Sequence, residues 1–320
     1  MNSDARIYVA GHRGMVGSAI VRRLRAEGFS DIATAPRSEV DLARAADVER
    51  FFDRARPTHV FLAAARVGGI LANDAYPADF IRDNLAIELN VIDAAHRFGV
   101  QKTLVLGSSC IYPRLAPQPI TEDALLAGPL EPTNRAYAVA KIAGIVMAQS
   151  YVQQYGDRFI SAMPTNLYGP GDNFDLASSH VLPALLRKFH EARERGASSV
   201  PVWGTGNARR EFLHVDDLAD ACVFLMQHYE DPAIINVGTG KDLTIRELAE
   251  TIARVVGFEG EIRFDTTKPD GTPRKLLDVS RMRALGWSAR VALEEGIRST
   301  YAWYLDHTAP SPTPAVPPRA

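Results

Sequence analysis

Side chains that can accept or donate protons stand at spacings that favour catalysis: Ser108, Cys110, Tyr137, Lys141 and His180. Tyr137 and Lys141 fall in 137-YAVAK-141, and in a helix this spacing places both on one face. A phenol with a pKa of about 10 releases its proton poorly at neutral pH, but a neighbouring ammonium group and the positive ring of a cofactor would lower that pKa. We therefore expect Tyr137 to protonate an oxygen that gains negative charge when hydride reaches the adjoining carbon.

Ser108 ends the apolar run 103-TLVLGS-108, which has the composition of a buried strand. Ligands bind at the carboxyl ends of strands in parallel sheets, so we expect the Ser108 hydroxyl to hydrogen-bond the same oxygen as Tyr137. The Y-x-x-x-K spacing is common on helices and carries no meaning by itself. It becomes specific when a glycine-rich turn comes first, a serine ends a later strand, and the tyrosine and lysine follow on the next helix.

Cys110 and His180 add a second base and acid. A thiol pKa of about 8.5 lies close enough to neutrality for proton abstraction once a cation lowers it. Histidine titrates near neutrality and suits proton donation to the opposite face of a carbon beside a ketone. Each residue alone is better explained otherwise, Cys110 as a small buried apolar side chain and His180 as a polar residue at a helix start. Together, in their surrounding sequence, they favour a functional pair of base and acid.

The segment 7-IYVAGHRGMVGSAIVRRL-24 predicts a strand, a tight turn and a helix, with Gly11, Gly14 and Gly17 in the turn region. Gly11 permits the sharp turn, Gly14 lets the backbone approach a pyrophosphate, and Gly17 lets the helix pack closely on the strand. The free N–H groups and the positive dipole end of the helix would face the phosphates. The alternative is an ordinary βα turn, but the position after the first strand and before an amphipathic helix favours a dinucleotide site.

The second predicted strand indicates which dinucleotide binds. NAD-specific sites place an Asp or Glu about 20 residues after the glycines, at the ribose 2′-hydroxyl. Here the first charged residue after 32-IATA-35 is Arg37, and Arg13 lies within the glycine turn. Two guanidinium groups can clamp a 2′-phosphate, and we expect no carboxylate to stand in the way, so we expect NADP(H) rather than NAD(H). Arg37 taken alone is equally consistent with a solvated loop charge.

Alternating strand and helix patterns position these residues. Apolar β-type runs are separated by segments with helical apolar spacing, which predicts a parallel sheet covered on both faces. Because crossovers are right-handed, we expect a Rossmann-type, doubly wound α/β fold. The predicted strands are 6–10, 32–35, 59–65, 103–108 and 159–164, and the predicted helices are 17–28, 44–56, 81–99, 136–156, 181–196, 216–229 and 245–257.

The second half of the chain is less regular, with loops rich in glycine, proline and charge at 201–212 and 268–275. Loops on a rigid scaffold often carry binding chemistry, so we expect a smaller C-terminal α/β substrate domain. The proline-rich tail, residues 307–320, is predicted to be disordered or extended. The predicted domains are residues 1–165 for the cofactor, with a return segment near 205–240, and residues 166–306 mainly for the substrate.

Composition excludes several classes of protein. The formal net charge is −2, from 36 basic and 38 acidic residues, which argues against a general nucleic-acid or membrane-surface binder. No apolar run is long enough to cross a bilayer and no secretory leader is visible, so we expect a cytoplasmic protein. Cys110 and Cys222 have neither the spacing of metal ligands nor that of a disulfide framework, so no metal is expected, and Cys222 is assigned to the core.

Distinctive short stretches accompany these motifs, among them GHRGMVGSAI, LGSSCIYP, EPTNRAYAVAKIAGI, PTNLYGP, REFLHVDD and KPDGTPRKLLD. Over nearly the whole chain apart from the tail, the sequence resembles the extended short-chain dehydrogenases/reductases that act on nucleotide sugars. The resemblance implies that Ser108, Tyr137 and Lys141 form the catalytic triad. It also implies that Cys110 and His180 serve epimerisation at C3 and C5 of a GDP-linked 4-keto sugar, while NADPH delivers hydride to C4.

The resemblance extends to binding residues and assembly. It places the GDP-sugar against Lys188, Trp203, Arg210 and Asp270, with Arg210 suited to the diphosphate. Some relatives have Arg at the position of Lys188, and Lys keeps the charge but loses the bidentate fork. Relatives usually pair helices from two copies, so a homodimer is expected. The expected cofactor contacts are Gly11, His12, Arg13, Gly14, Met15, Val16, Gly17, Arg37, Leu106, Gly107, Lys141, Pro164, Asn166, Leu167 and His180.

The resemblance implies conversion of GDP-4-keto-6-deoxy-D-mannose to GDP-L-fucose, and three alternatives stay open. A related reductase making another GDP-6-deoxyhexose, such as GDP-colitose, would keep the same Cys110 and His180, and product analysis separates the two. An NAD-dependent 4-epimerase is disfavoured by Arg13, Arg37 and Cys110. A non-catalytic, cofactor-sensing protein on the same fold would have no need of a complete set of acids and bases.

Overall fold

A computed structural model describes residue 1, residues 4–268 and residues 270–307. The predicted tail lies outside the described residues from residue 308 on. The strands, in chain order, are β1 (Ile7–Ala10), β2 (Ile32–Ala33), β3 (His59–Leu62), β4 (Lys102–Leu106), β5 (Phe159–Pro164), β6 (Asn166–Tyr168), β7 (Ser199–Trp203), β8 (Arg209–His214), β9 (Ile235–Val237), β10 (Asp242–Thr244), β11 (Glu261–Asp265) and β12 (Arg274–Lys275).

Helices connect most of these strands. They are α1 (Met15–Ala26), α2 (Ala45–Ala55), α3 (Ile70–Ala75), α4 (Pro77–Arg97), α5 (Arg135–Tyr155), α6 (Val181–Glu194), α7 (Val215–His228), α8 (Ile245–Val256), α9 (Ser280–Ala284) and α10 (Leu293–His307). None of the helices in the described part of the chain is long and apolar enough to cross a membrane.

The central sheet has six parallel strands in the order β2-β1-β3-β4-β5-β9. Strands β1, β3, β4 and β5 are buried along their whole length, as a sheet covered on both faces requires. One face packs against α1 and α7, around Ile20 and Leu218. The other face packs against α2 and α4, around Phe52 and Ile92. The predicted doubly wound α/β class is confirmed, and its winding reverses between β1 and β3, where such sheets bind ligands.

Strand β8 organises the second part of the molecule. It pairs in parallel with β6 and β12 and antiparallel with β10, while β7 and β11 form a separate parallel pair. Helices α6, α8 and α10 enclose a second core that includes Leu186, Ile252 and Ile297. The chain returns to the central sheet through α7 and β9. The predicted domain bounds stay a prediction.

Two parts of the second half differ from expectation. The segment 201–212, predicted as a loop, contains the end of β7 and the start of β8, and the segment 268–275 ends in β12. Helix α10 was not predicted, although its Ile297, Tyr301 and Tyr304 recur at helical spacing and are buried. The strands were missed because they are short and are defined by long-range pairing rather than by a local apolar pattern.

Candidate active site

The turn after β1 approaches the chain after β3 very closely. Gly11 has a φ of +87°, and a Cβ at this position would lie 2.8 Å from the backbone of Ala64. A Cβ at Gly17 would lie 2.2 Å from the carbonyl oxygen of Gly11, so both positions require glycine. Gly14 begins α1 without a side-chain cap, and the first turn of the helix has no acidic residue. The helix N-terminus therefore suits a pyrophosphate.

The two arginines predicted to select a 2′-phosphate are exposed beside this turn. The Arg37 side chain is 78% exposed, and its Nε lies 3.7 Å from the Asp41 carboxylate. Burial and the charge of Arg13 lower the pKa of His12, while Glu39 raises it. The loop after β2 therefore lies next to the glycine turn, as the prediction requires. It also places the carboxylate of Glu39 there, whereas no carboxylate was expected near the two arginines.

Ser108, Tyr137 and Lys141 come together at the carboxyl end of β4. Tyr137 and Lys141 lie one turn apart on α5, and the Tyr137 hydroxyl is hydrogen-bonded to the Ser108 side chain. Lys141 is buried, and its Nζ donates to the carbonyl oxygen of Leu106 at 2.9 Å. The same Nζ lies 2.9 Å from Oε1 of the buried Glu88 on α4. The predicted triad residues are therefore neighbours. The Glu88 carboxylate, which was not predicted, forms an ion pair with Lys141.

Tyr137 keeps its proton more firmly than expected. Burial raises the pKa of Tyr137, and Cys110 and Glu88 act in the same direction, while Lys141 and the Ser108 hydrogen bond offset only part of this. Lys141 lowers the pKa of Tyr137, as expected, but burial has the larger effect, and the expected effect of a cofactor ring stays a prediction. Burial lowers the pKa of Lys141, but Glu88 and Tyr137 raise it by more, so Lys141 stays charged. A phenol in this state suits a proton donor rather than a base.

Cys110 lies in a short 3₁₀ turn, Ser109–Ile111, directly after β4. Its backbone N–H donates to Ser108 Oγ at 3.2 Å, and its Sγ accepts from Lys275 Nζ at 3.4 Å. Burial alone would raise the pKa of Cys110, but Lys275, Ser108 and Arg210 together lower it by more, so the pKa falls below its ordinary value. The thiol is therefore prepared to act as a base.

Lys275 was not identified from the sequence. In the parallel pairing of β8 with β12, Lys275 lies opposite Arg210, so both side chains lie on one face of the sheet. The preceding pair, Arg209 and Arg274, lies on the other face, where both form ion pairs with Asp242. The register thus brings two cations towards Cys110. No local pattern connects position 275 with position 110, so only this strand pairing reveals the contact.

His180 lies at the start of α6, as predicted. The surrounding protein and the charge of Lys275 both lower the pKa of His180. Lys275 therefore influences both His180 and the Cys110 thiol that it contacts. A protonated His180 is consequently a stronger acid than an ordinary histidine.

Short-range contacts connect the four residues predicted to bind the GDP-sugar. Lys188 Nζ lies 5.4 Å from the centroid of the Trp203 ring, which is 47% exposed. The Asp270 carboxylate accepts from the backbone N–H of Thr205 at 2.7 Å and from its hydroxyl at 2.8 Å. Asp270 therefore fixes the loop after Trp203. Asp270 and Cys110 are both close enough to Arg210 to raise its pKa, although burial lowers that pKa by more.

The other predicted cofactor residues lie at neighbouring strand ends. Leu106 ends β4, Pro164 ends β5, and Asn166 and Leu167 belong to β6. The side-chain amide of Asn166 donates to the backbone carbonyl oxygen of Glu211 at 2.8 Å. Gly107 was also predicted, and a Cβ there would lie 2.4 Å from the Met163 side chain. Cys222 is fully buried in the core, as predicted.

The chain is similar to known proteins over most of its length. A model of the NAD dependent epimerase/dehydratase family matches residues 7–238. GDP-L-fucose synthase 1 of Arabidopsis thaliana is 60% identical over 304 residues, covering 95% of this chain and 94% of that protein. GDP-L-fucose synthase of Escherichia coli (strain K12) is 55% identical over 314 residues, covering 95% and 98%. GDP-L-colitose synthase of Yersinia pseudotuberculosis is 38% identical over 304 residues, covering 94% and 98%.

Solved structures show the same architecture. A GDP-6-OMe-4-keto-L-xylo-heptose reductase from C. jejuni superimposes with a TM-score of 0.90 at 39% identity, covering 96% of this chain and 99% of that chain. An NADP-bound GDP-L-fucose synthetase from Naegleria fowleri superimposes with a TM-score of 0.88 at 30% identity, covering 96% and 95%.

Proposed function

The chain belongs to the NAD dependent epimerase/dehydratase family, and we propose that it converts GDP-4-keto-6-deoxy-D-mannose to GDP-L-fucose with NADPH. The reaction combines epimerisation at C3 and C5 with reduction at C4. The observation that carries the proposal is the Cys110 thiol held 3.4 Å from Lys275 beside the triad, because a simple ketoreductase needs the triad but not the thiol. The 60% identity to GDP-L-fucose synthase 1 supports this product over GDP-colitose, whose synthase is 38% identical.

Cys110 and His180 carry out the epimerisations. The Cys110 thiolate removes the proton from the carbon beside the C4 ketone, breaking a C–H bond and forming an S–H bond. The ketone delocalises the electron pair left on carbon, so one carbonyl acidifies both C3 and C5. Protonated His180 then returns a proton to the opposite face of the carbon. Each residue exchanges its proton with solvent before the second carbon reacts.

Tyr137 completes the reduction. NADPH supplies the hydride that reduces C4. The Tyr137 hydroxyl donates its proton to the C4 oxygen, and Ser108 hydrogen-bonds the same oxygen. The charged Lys141 stabilises the tyrosinate that remains, because the two side chains lie one turn apart on α5. The high pKa of Tyr137 keeps the phenol protonated until this step, which suits a reduction.

The glycine turn supports NADPH as the cofactor. The uncapped N-terminus of α1 would hold the pyrophosphate, and Arg13 and Arg37 would hold the 2′-phosphate. We expect Arg37→Ala to raise the KM for NADPH by about tenfold and to change the KM for NADH little, because only NADPH has the 2′-phosphate. Arg44→Ala is the control, since Arg44 also pairs with Asp41, at 4.0 Å. Equal effects of Arg37→Ala on both cofactors would remove Arg37 from this site.

A homodimer is also part of the proposal. Leu85 and Leu89 on α4 and Val139 and Val146 on α5 are exposed on neighbouring helices, with Leu89 54% exposed. An apolar surface of this kind supports a helical interface with a second copy. Sedimentation of the wild-type protein and of Leu89→Glu tests this, since a monomer in both cases contradicts the dimer. We further infer a cytoplasmic location, where free thiols such as Cys110 persist.

The deciding experiment is an assay of the purified protein. GDP-4-keto-6-deoxy-D-mannose is added with NADPH, the loss of NADPH absorbance is followed, and the sugar product is identified by NMR. We expect NADPH oxidation with GDP-L-fucose as the product. A C4-reduced but unepimerised sugar would contradict the roles of Cys110 and His180, and no oxidation despite NADPH binding would contradict the substrate.

A further inference from the structure

The ammonium group of Lys141 has a partner outside the triad. Glu88 lies on α4 with only 2% of its side chain exposed, and its Oε1 is 2.9 Å from Lys141 Nζ. The carbonyl oxygen of Leu106 accepts a hydrogen bond from the same Nζ at 2.9 Å. An ammonium group has three N–H donors, so the bond to Leu106 leaves donors for the phenol or a bound ligand. Lys141 is therefore held by β4 and α4 as well as by its own helix.

The fold makes room for this carboxylate at a specific position. Gly144 lies on α5 one turn after Lys141, and a Cβ there would lie 2.4 Å from Glu88 Oε2 and 2.5 Å from Cδ. Glycine in the middle of a helix costs about 0.5–1 kcal/mol relative to alanine. Glycine at this position thus allows α4 and α5 to bring the carboxylate against the ammonium group.

We propose that Glu88 is a positioning residue for the reduction, holding Lys141 in place and keeping the proton on Tyr137 until C4 is reduced. Glu88 acts through its charge, which offsets part of the effect of Lys141 on the phenol. Without this compensation, Lys141 would favour the tyrosinate and Tyr137 would lose its proton at lower pH. The inference rests on the proposed triad and adds a residue to it.

The charged and titratable groups around this pair are few. Tyr137 is influenced by Lys141 on its own helix, by Glu88 on α4 and by Cys110 after β4, besides its hydrogen bond to Ser108. Lys141 is influenced by Glu88 and Tyr137. Burial raises the pKa of Glu88, and Lys141 acts in the opposite direction. Removing the negative charge of Glu88 lowers the pKa of both Tyr137 and Lys141, so the two shifts have the same direction.

The test compares Glu88→Gln with the wild-type protein in single-turnover oxidation of NADPH by GDP-4-keto-6-deoxy-D-mannose across the alkaline range. The glutamine keeps the size and a hydrogen-bond acceptor but removes the charge. We expect the alkaline limb of the rate profile to move to lower pH by about one unit. Glu122→Gln is the matched control, because Glu122 is another buried glutamate and its ion pair is with Arg281 at 3.3 Å. The control should leave the limb in place.

A purely structural role would lower the melting temperature and the amount of active enzyme without moving the alkaline limb. Superimposable profiles for Glu88→Gln and wild type therefore overturn the inference. If Glu88→Gln does not fold, Gly144→Ala takes its place, since it keeps both charges but separates them, and it should move the limb in the same direction. An unmoved limb in that variant overturns the inference equally.

A second measurement separates this inference from the proposed function. Carbon-13 labelled tyrosine, with the Tyr137 signal assigned by Tyr137→Phe, reports the pKa of the phenol without substrate. We expect the Tyr137 pKa to be lower in Glu88→Gln than in wild type. An inactive wild-type protein that still shows this shift contradicts only the proposed function, while an active enzyme without the shift contradicts only the role of Glu88.

Discussion

Two lysines stand beside the two groups that exchange protons, and they affect those groups in opposite ways. Lys275 Nζ lies 3.4 Å from Cys110 Sγ, and the pKa of Cys110 is lowered although burial opposes it. Lys141 lies one turn from Tyr137 on α5, yet the pKa of Tyr137 is raised. Both lysines lower the pKa of their neighbour, so the lysine by itself does not decide the outcome.

The difference comes from what surrounds each lysine. At Tyr137, burial has the largest effect on the pKa, and Glu88, 2.9 Å from Lys141, also opposes the lysine. No carboxylate in the described part of the chain forms an ion pair with Lys275, and Arg210 adds a second positive charge near the thiol. At the thiol the cations outweigh burial and prepare a base, whereas at the phenol burial and the nearby negative charges outweigh the cation and leave an acid. One cleft can therefore remove a proton from carbon and later donate one to oxygen.

The largest expected effect separates the two groups. Cys110→Ser replaces a thiol with a hydroxyl that does not ionise near neutrality, so the base for epimerisation is lost. We expect deuterium uptake from D₂O at C3 and C5 to fall by at least about a hundredfold, measured by NMR. Reduction of a 4-keto sugar that needs no epimerisation should continue. Cys222→Ser is the control and should keep the uptake, whereas undiminished uptake in Cys110→Ser would rule out the thiol as the base.

A smaller effect tests the residue that contacts both groups. Ser108 Oγ accepts from the backbone N–H of Cys110 at 3.2 Å and is hydrogen-bonded to Tyr137. We expect Ser108→Ala to slow both deuterium uptake and NADPH oxidation, each by about tenfold, the value of one hydrogen bond to a charged group. Ser109→Ala removes the next hydroxyl in the chain and is the matched control. A loss confined to one of the two reactions would contradict the shared role.

Local sequence patterns predicted the positions of Tyr137 and Lys141 well. The predicted strand 159–164 coincides with β5, and the predicted helix 136–156 differs from α5 by one residue at each end. Because Tyr137 and Lys141 lie on the same helix, their spacing was sufficient to predict their proximity. The glycine turn was predictable for the same reason, since Gly11 follows β1 directly and Gly17 lies in the first turn of α1.

The compensating charges were not predictable in this way. Glu88 has the sequence context of an ordinary charge on an amphipathic helix, and only the packing of α4 on α5 buries it. Lys275 belongs to a strand of two residues whose position depends on its register with β8. The sequence thus predicts the groups that react, whereas long-range packing determines whether each one acts as an acid or as a base.

The smallest effect concerns the cation beside the thiol. Lys275→Met removes the charge that lowers the pKa of Cys110, while Arg210 and the Ser108 hydroxyl remain. The pKa of the thiol therefore rises, and less thiolate is present at neutral pH. We expect the acidic limb of the pH profile for deuterium uptake to move to higher pH by about one unit, since an opposite charge at this distance shifts a pKa by that order. NMR of samples in D₂O across the neutral and alkaline range measures the shift.

Above the raised pKa the thiolate forms again, so the Lys275→Met variant should recover most of its uptake in alkaline solution. This recovery distinguishes a pKa effect from a damaged site, because a misplaced thiol would stay slow at every pH. Lys241→Met, which removes an exposed lysine elsewhere, should leave the profile unchanged. The alkaline limb of NADPH oxidation should also stay in place, since it depends on Tyr137, Lys141 and Glu88. A shift in that limb with none in the uptake profile would mean that Lys275 acts on the phenol, and the contrast between the two lysines would no longer hold.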